Sequence, residues 1–259
     1  MNSEGQSEGN RGTERHRFLR WASIAALLVC WQVIAMLAES ELLPLPGAVL
    51  GVLWSQVLSG ELPGHLGITL GRVAAAFVLA MCLGTAIGMW MGRRGGINAS
   101  LDALLIIGLN IPALVTIVLC YLWIGLTEVA AVAAVAINKI PTVVVTVREG
   151  ARAVDARLLD VARVYRLSPY RTWRHVFVPQ LYPYLLASAR TGLSLIWKIV
   201  LVVELLGRSD GVGFQIGTYF QFFDITSILA YTIAFAAVVY VIELLVLQPF
   251  DQRIARWQT

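Results

Sequence analysis

Arg190, Ser194 and Lys198 recur at four-residue intervals inside an apolar stretch, so on a helix they share one face. Asn138 and Lys139 stand in a second apolar stretch and Asn110 in a third. Ionisable groups in such surroundings are rare and functional by default. Together these six residues can line a polar route of positive character, which suits a small anion. The competing reading is local neutralisation: Lys198 can pair with Glu204, and Arg190 can reach back to the water boundary. A second set of charges lies in one block. Residues 148–183 hold seven arginines, one histidine and three carboxylates between long apolar runs.

Other chemistry is missing. The chain has two lysines, in INKIP and IWKIV, and no GxxxxGK[ST] phosphate-binding loop. His16, His65 and His175 are scattered, with no HExxH, so no metal site is read here. Cys30, Cys82 and Cys120 sit in apolar segments without CxxC pairing and read as small hydrophobes. Ser194 has no histidine near it in sequence, and no nucleophile–base pair stands out. Nothing here reads as an enzyme.

The elements that must position these residues are membrane spans. Of 259 residues, 58% are hydrophobic and 14% charged, with a mean hydropathy of +0.73. A soluble domain of this length is not so apolar. The basic residues flank apolar runs and form no single patch, which argues topology and excludes nucleic acid as the partner.

Residues 1–20 are polar and non-periodic and read as a disordered tail. A first span runs over 21–38, with a cleaved signal peptide as the competing reading. Pro44 and Pro46 interrupt the chain. A short amphipathic helix over 48–58 follows, lying in the outer interface with Trp54 at headgroup level. The second span covers about 71–91, where Gly84, Gly88 and Gly92 share a face and admit a close helix neighbour. The third, 101–124, is bent by Asn110 and Pro112. The fourth is 129–147, the fifth 184–206 and the sixth 227–247, with a loop between the last two. Residues 248–259 form a second tail. Six spans put both termini on one side. That side, with residues 1–20, 93–100, 148–183 and 248–259, carries 15 of the 20 basic residues, so it is cytoplasmic.

Within the arginine-rich block, residues 156–165 have helical apolar spacing. Ser168 is a good N-cap and Pro169 suits a first helical position, so a second short helix runs from Pro169 to Pro179. Two helices at a sharp turn make a knob projecting into the cytoplasm, or else a pair lying on anionic headgroups.

Here the sequence resembles the transmembrane permeases of ABC importers. Their EAA loop has the pattern EAA, three residues, Gly, nine residues, Ile, one residue, Leu-Pro. Asp160, Val161 and Ala162 fall on EAA, Arg166 on the Gly, and Val176-Phe177-Val178-Pro179 on the ending, without a gap. LLPLPGAVL, LWIGLTE at 122–128, RAVDARLLDVAR at 152–163 and VVELLGRSDGVGFQI at 202–216 are similar to the branch serving nitrate, aliphatic sulfonates and taurine. The resemblance covers about residues 20–250.

It implies an all-α type I importer fold in a bacterial inner membrane, with 21–247 as the permease domain. It also implies a second permease copy, two ATPase subunits holding ATP and Mg, and a periplasmic or lipoprotein solute-binding protein. Asp160, Ala162, Arg163, Arg166, Leu167, Ser168, Pro169, Tyr170 and Pro179 would then dock the ATPase. Arg166 departs from the pattern. A left-handed turn residue other than glycine costs about 1 kcal/mol. Either the turn has another shape, or Arg166 accepts the strain to reach an acidic partner. The alternatives from other classes are a self-contained channel or proton-coupled carrier and a membrane scaffold.

Overall fold

The computed structural model describes residues 22–247 apart from 24, 39 and 41. The two tails and the start of the first expected span therefore lie outside the described residues. Those described form helices and connecting turns, with no strand among them.

A short apolar helix, α1 (Ala25–Ala38), leads to α2 (Pro46–Leu58), which opens on a proline at its first position. Next come α3 (Glu61–Arg93), α4 (Gly95–Asn110), α5 (Ala113–Ile124) and α6 (Glu128–Arg152). The chain continues through α7 (Ala156–Val164), α8 (Pro169–Thr172), a π-helical turn over Trp173–Phe177 and α9 (Val178–Gly207). It ends with α10 (Val212–Gln221), α11 (Ile225–Ile242) and a second π-helical turn, Glu243–Leu247.

Four helical stretches are long and apolar enough to cross a membrane: Glu61–Arg93, Glu128–Arg152, Pro169–Gly207 and Ile225–Leu245. A fifth span exists if α4 and α5 count as one. Those two meet at 98°, so the expected third span, 101–124, is broken and not merely bent. Pro112 is the cause. It disfavours helical geometry at Ile111, which is extended at φ −70° and ψ 123°. α1 is shorter than a full span among the described residues.

Three other expectations change. The second span begins at Glu61, because Leu62, Leu66 and Leu70 pack into the core while His65, Thr69 and Arg72 supply a polar face. The expected loop before the last span contains α10, whose Val212, Ile216 and Tyr219 pack into the same core. The expected short helix from Pro169 to Pro179 does not stop; it passes through the π-helical turn into α9. Pro179 directly follows the π-helical turn, where the change of hydrogen-bond register accommodates its missing N–H within the continuing helix. With α6 running to Arg152, the non-spanning link shrinks from 148–183 to 153–168.

α3, α6 and α9 form the centre. Val73, Ala76, Ala134, Val135, Ile196 and Val200 meet in its main core. α3 and α6 approach closely along the glycine face. A Cβ on Gly88 would lie 2.8 Å from the Val144 carbonyl oxygen, and one on Gly92 2.6 Å from the Ala151 Cβ. The glycines are there for space. At the arginine-rich end, Arg148 reaches across to Asp102 (2.5 Å) and Asn98 (3.2 Å), tying α6 to α4.

Gly88→Val is expected to destabilise the protein by about 1–3 kcal/mol through overpacking. A thermal midpoint in detergent equal to that of the unsubstituted protein would contradict this packing.

Candidate functional site

The link after α6 builds a small, well-capped projection. Asp155 caps α7 by accepting a hydrogen bond from the Arg157 N–H at 2.8 Å. Ser168 caps α8 in the same manner, accepting from the Arg171 N–H at 3.4 Å. Gln180, on α9, accepts from the Asp155 N–H (2.9 Å) and donates to the Val176 carbonyl (2.8 Å). That amide fastens the start of α7 to the start of α9.

The end of α7 explains Arg166. The Leu167 N–H reaches the Ala162 carbonyl (2.9 Å) and the Arg166 N–H the Arg163 carbonyl (2.9 Å). This is the Schellman arrangement, which places one residue in left-handed geometry. That residue is Arg166, at φ +50°. The turn thus has the shape glycine favours, and Arg166 carries its strain with an exposed side chain.

Ala162 is buried beneath α7, while Asp160 and Arg163 pair on its outer face at 2.7 Å. Val164, Tyr165 and Tyr170 project apolar surface into solvent. An open groove of about 410 Å³ runs between α7 and the start of α9, past Ala162, Leu167 and Pro179. The docking candidates are therefore gathered on one projection.

The six path candidates are not gathered. Arg190, Ser194 and Lys198 share an exposed face of α9, as their spacing predicts. Ser194 and Lys198 line a cavity of about 300 Å³ against α11, together with Trp197, Phe235 and Glu243. Arg190 pairs with Glu243 at 3.9 Å. Lys139 lies elsewhere, 2% exposed, with a Cβ on Gly192 falling 3.0 Å from its Cε. Its Nζ has no hydrogen-bond partner among the described residues. Asn138 is half-buried, and Asn110 donates back to the Ile106 carbonyl at 2.8 Å on an exposed helix end. Neither lines the cavity.

Glu204 does not pair with Lys198, because Arg72 holds it. Arg72 Nη1 lies 2.8 Å from Glu204 Oε1, with the two side chains 5% and 0% exposed. The same guanidinium bonds Glu128 at 2.6 Å, the Asp210 carboxylate and, at 2.9 Å, the Asp210 carbonyl. Arg208 adds a second cation on Glu128 at 2.5 Å. The other Glu204 oxygen accepts from Thr69 Oγ1 (3.0 Å) and the Gly213 N–H (2.9 Å). Thr69 in turn accepts from the Val212 N–H, and His65 from the Gly211 N–H. Gly211, at φ +102°, leaves no room for a Cβ against the Glu204 carboxylate. Beside this cluster on α10, burial raises the Tyr219 phenol above its ordinary value, and its hydroxyl accepts from Gln56 at 3.3 Å.

The sequence offers Lys198 as the partner of Glu204 and singles out neither Arg72 nor Arg208. The available signal was the spacing of His65, Thr69 and Arg72 on one helix face, opposite the glycine-rich turn after Glu204.

Two outcomes are expected. Arg72→Met leaves the buried Glu204 carboxylate uncompensated and should cost about 3–5 kcal/mol, read as a loss of thermal stability. Lys139→Met removes a buried unpartnered amine at similar volume and should raise stability by about 1–3 kcal/mol. A lower midpoint for Lys139→Met would mean that the ammonium is held in place.

Residues 84–255 match the family described as binding-protein-dependent transport system inner membrane component. The chain is 33% identical over 230 residues to the putative aliphatic sulfonates transport permease protein SsuC of Bacillus subtilis (strain 168), spanning 88% of this chain and 83% of that one. It is 29% identical over 203 residues to the nitrate import permease protein NrtB of Synechocystis sp., spanning 75% and 74%. In fold it is similar to a chain of the MetNI methionine ABC transporter in an inward-facing form. There the TM-score is 0.63 at 18% identity, over 79% of this chain and 99% of the other. With its helical spans and its sequence relatives in agreement, the chain belongs to the family of inner-membrane permease components of binding-protein-dependent transport systems.

Proposed function

We propose that the chain is the membrane-spanning subunit of an ATP-driven importer for a small organic or inorganic anion. Two copies would form the path, two ATPase subunits holding ATP and Mg would drive it, and an extracytoplasmic binding protein would deliver the solute. The arginine-rich end and both termini would face the cytoplasm, with six spans in all. The α7–α8 projection carries this reading. It combines exposed apolar side chains, the Asp160–Arg163 pair and a strained arginine at its tip. A link this well capped and fastened to α9 can transmit a push from a docked subunit into the membrane.

The anion class rests on three supports. Relatives bear names referring to sulfonates and nitrate. Family membership makes a binding protein the expected source of selectivity. The cavity between α9 and α11 presents Lys198 and Ser194, and the neighbouring Arg190 already has Glu243 as a partner. A proton-coupled carrier would need an acid free to titrate within the spans. Within the expected spans the acids are Asp102, Glu204 and Glu243, and each is paired with a cation, Arg148, Arg72 and Arg190 respectively.

Arg166 separates docking from folding. Arg166→Gly relieves left-handed strain of about 1 kcal/mol and should raise the thermal midpoint. Arg166→Glu keeps the strain and reverses the charge. It is expected to cut ATPase copurification and uptake by about tenfold or more if an acidic partner is met. Full uptake and full copurification with Arg166→Glu would remove the docking role.

A further inference from the structure

At the arginine-rich end of α3, Met89, Trp90, Arg93, Arg94 and Trp173 enclose an open pocket of about 360 Å³. That volume falls in the range of small-molecule sites, roughly 300–1,000 Å³. No carboxylate lines it. Arg93 and Arg94 form no ion pair among the described residues, so two full positive charges face one small space. Arg93 is also pre-positioned, its guanidinium stacked 4.9 Å from the Phe177 ring centre. Trp90 and Trp173, 51% and 41% exposed, present both apolar faces and indole N–H donors. Indoles of this kind settle at the headgroup level of a bilayer. A second, larger and equally open cavity of about 580 Å³ shares Arg93 and Trp173 and is lined also by Leu159 and Phe177.

We propose that this pocket binds an anionic phospholipid, its phosphate between Arg93 and Arg94 and its glycerol and upper chains against Trp90 and Met89. Three observations distinguish it from scattered basic anchors: a concave lining that joins both arginines to two tryptophans, the absence of a lining carboxylate and the stacked Arg93. Trp173 belongs to the segment that leads from α7 into α9, so a bound lipid bridges the end of α3 to that segment. The site rests on the reading that this end lies at the cytoplasmic membrane boundary.

The test is lipid retention by the full-length permease purified in mild detergent. Native mass spectrometry would be run with equimolar dioleoyl phosphatidylglycerol and dioleoyl phosphatidylcholine. The protein is expected to hold phosphatidylglycerol about tenfold more than phosphatidylcholine or better. Arg93→Gln/Arg94→Gln should abolish that preference. Arg171→Gln/Arg174→Gln, which removes equal charge outside the pocket, should keep it. Arg94→Gln alone, at an exposed position, should weaken it and guards against misfolding of the double variant. Equal retention of the two lipids, or equal loss in both double variants, overturns the proposal. Displacement of phosphatidylglycerol by equimolar inorganic phosphate overturns it too, in favour of a free-anion site. The readout is independent of transport, so its failure leaves the importer reading untouched.

Discussion

The fold depends on one arginine in a place where charge is expensive. Arg72 and Glu204 are almost wholly removed from water, and an isolated ion there would cost several kcal/mol. The penalty is met by saturation: Arg72 bonds three carboxylates, and Glu204 accepts from Arg72, Thr69 and a backbone N–H. Because the partners come from α3, the start of α6, the end of α9 and the turn into α10, the cluster fixes four elements at one end of the bundle. The glycines at 211 and 213 exist to let that turn close on the carboxylate.

At the other end, the α7–α8 projection is joined to the same rod. Pro169–Gly207 is a continuous helical stretch of 39 residues, interrupted only by the π-helical turn at Trp173–Phe177. A rise of about 1.5 Å per residue makes it long enough to cross the bilayer with length to spare. The projection is fastened to the start of α9, and Glu204 lies in the last turn of the same helix. The ion cluster and the proposed docking surface are mechanically one system, with Gln180 fastening one end and Arg72 the other.

Local signals in the sequence were read well. Ser168-Pro169 opens a helix, the glycine triplet packs against α6, and four-residue spacing keeps Arg190, Ser194 and Lys198 on one face. Long-range pairing was not legible. Lys198 and Glu204 are close in sequence, yet Glu204 meets Arg72 across 132 residues, which no periodicity encodes. Proline was ambiguous for a related reason. Pro112 breaks its span, whereas Pro141 sits inside an unbroken α6, with the Gly108 backbone packed against its ring. Arg166 shows the limit of pattern matching. Its backbone follows the geometry glycine would take, so the substitution concerns the side chain and not the turn.

Proteoliposomes containing the permease provide the most direct test of the central claim, that this chain moves solute only when a separate subunit burns ATP. Uptake of a labelled sulfonate or nitrate would be compared with and without the ATPase subunit, internal ATP and Mg, and the binding protein. The account predicts uptake only when all are present, and none driven by a proton gradient alone. Uptake by the permease alone under a proton gradient would contradict it.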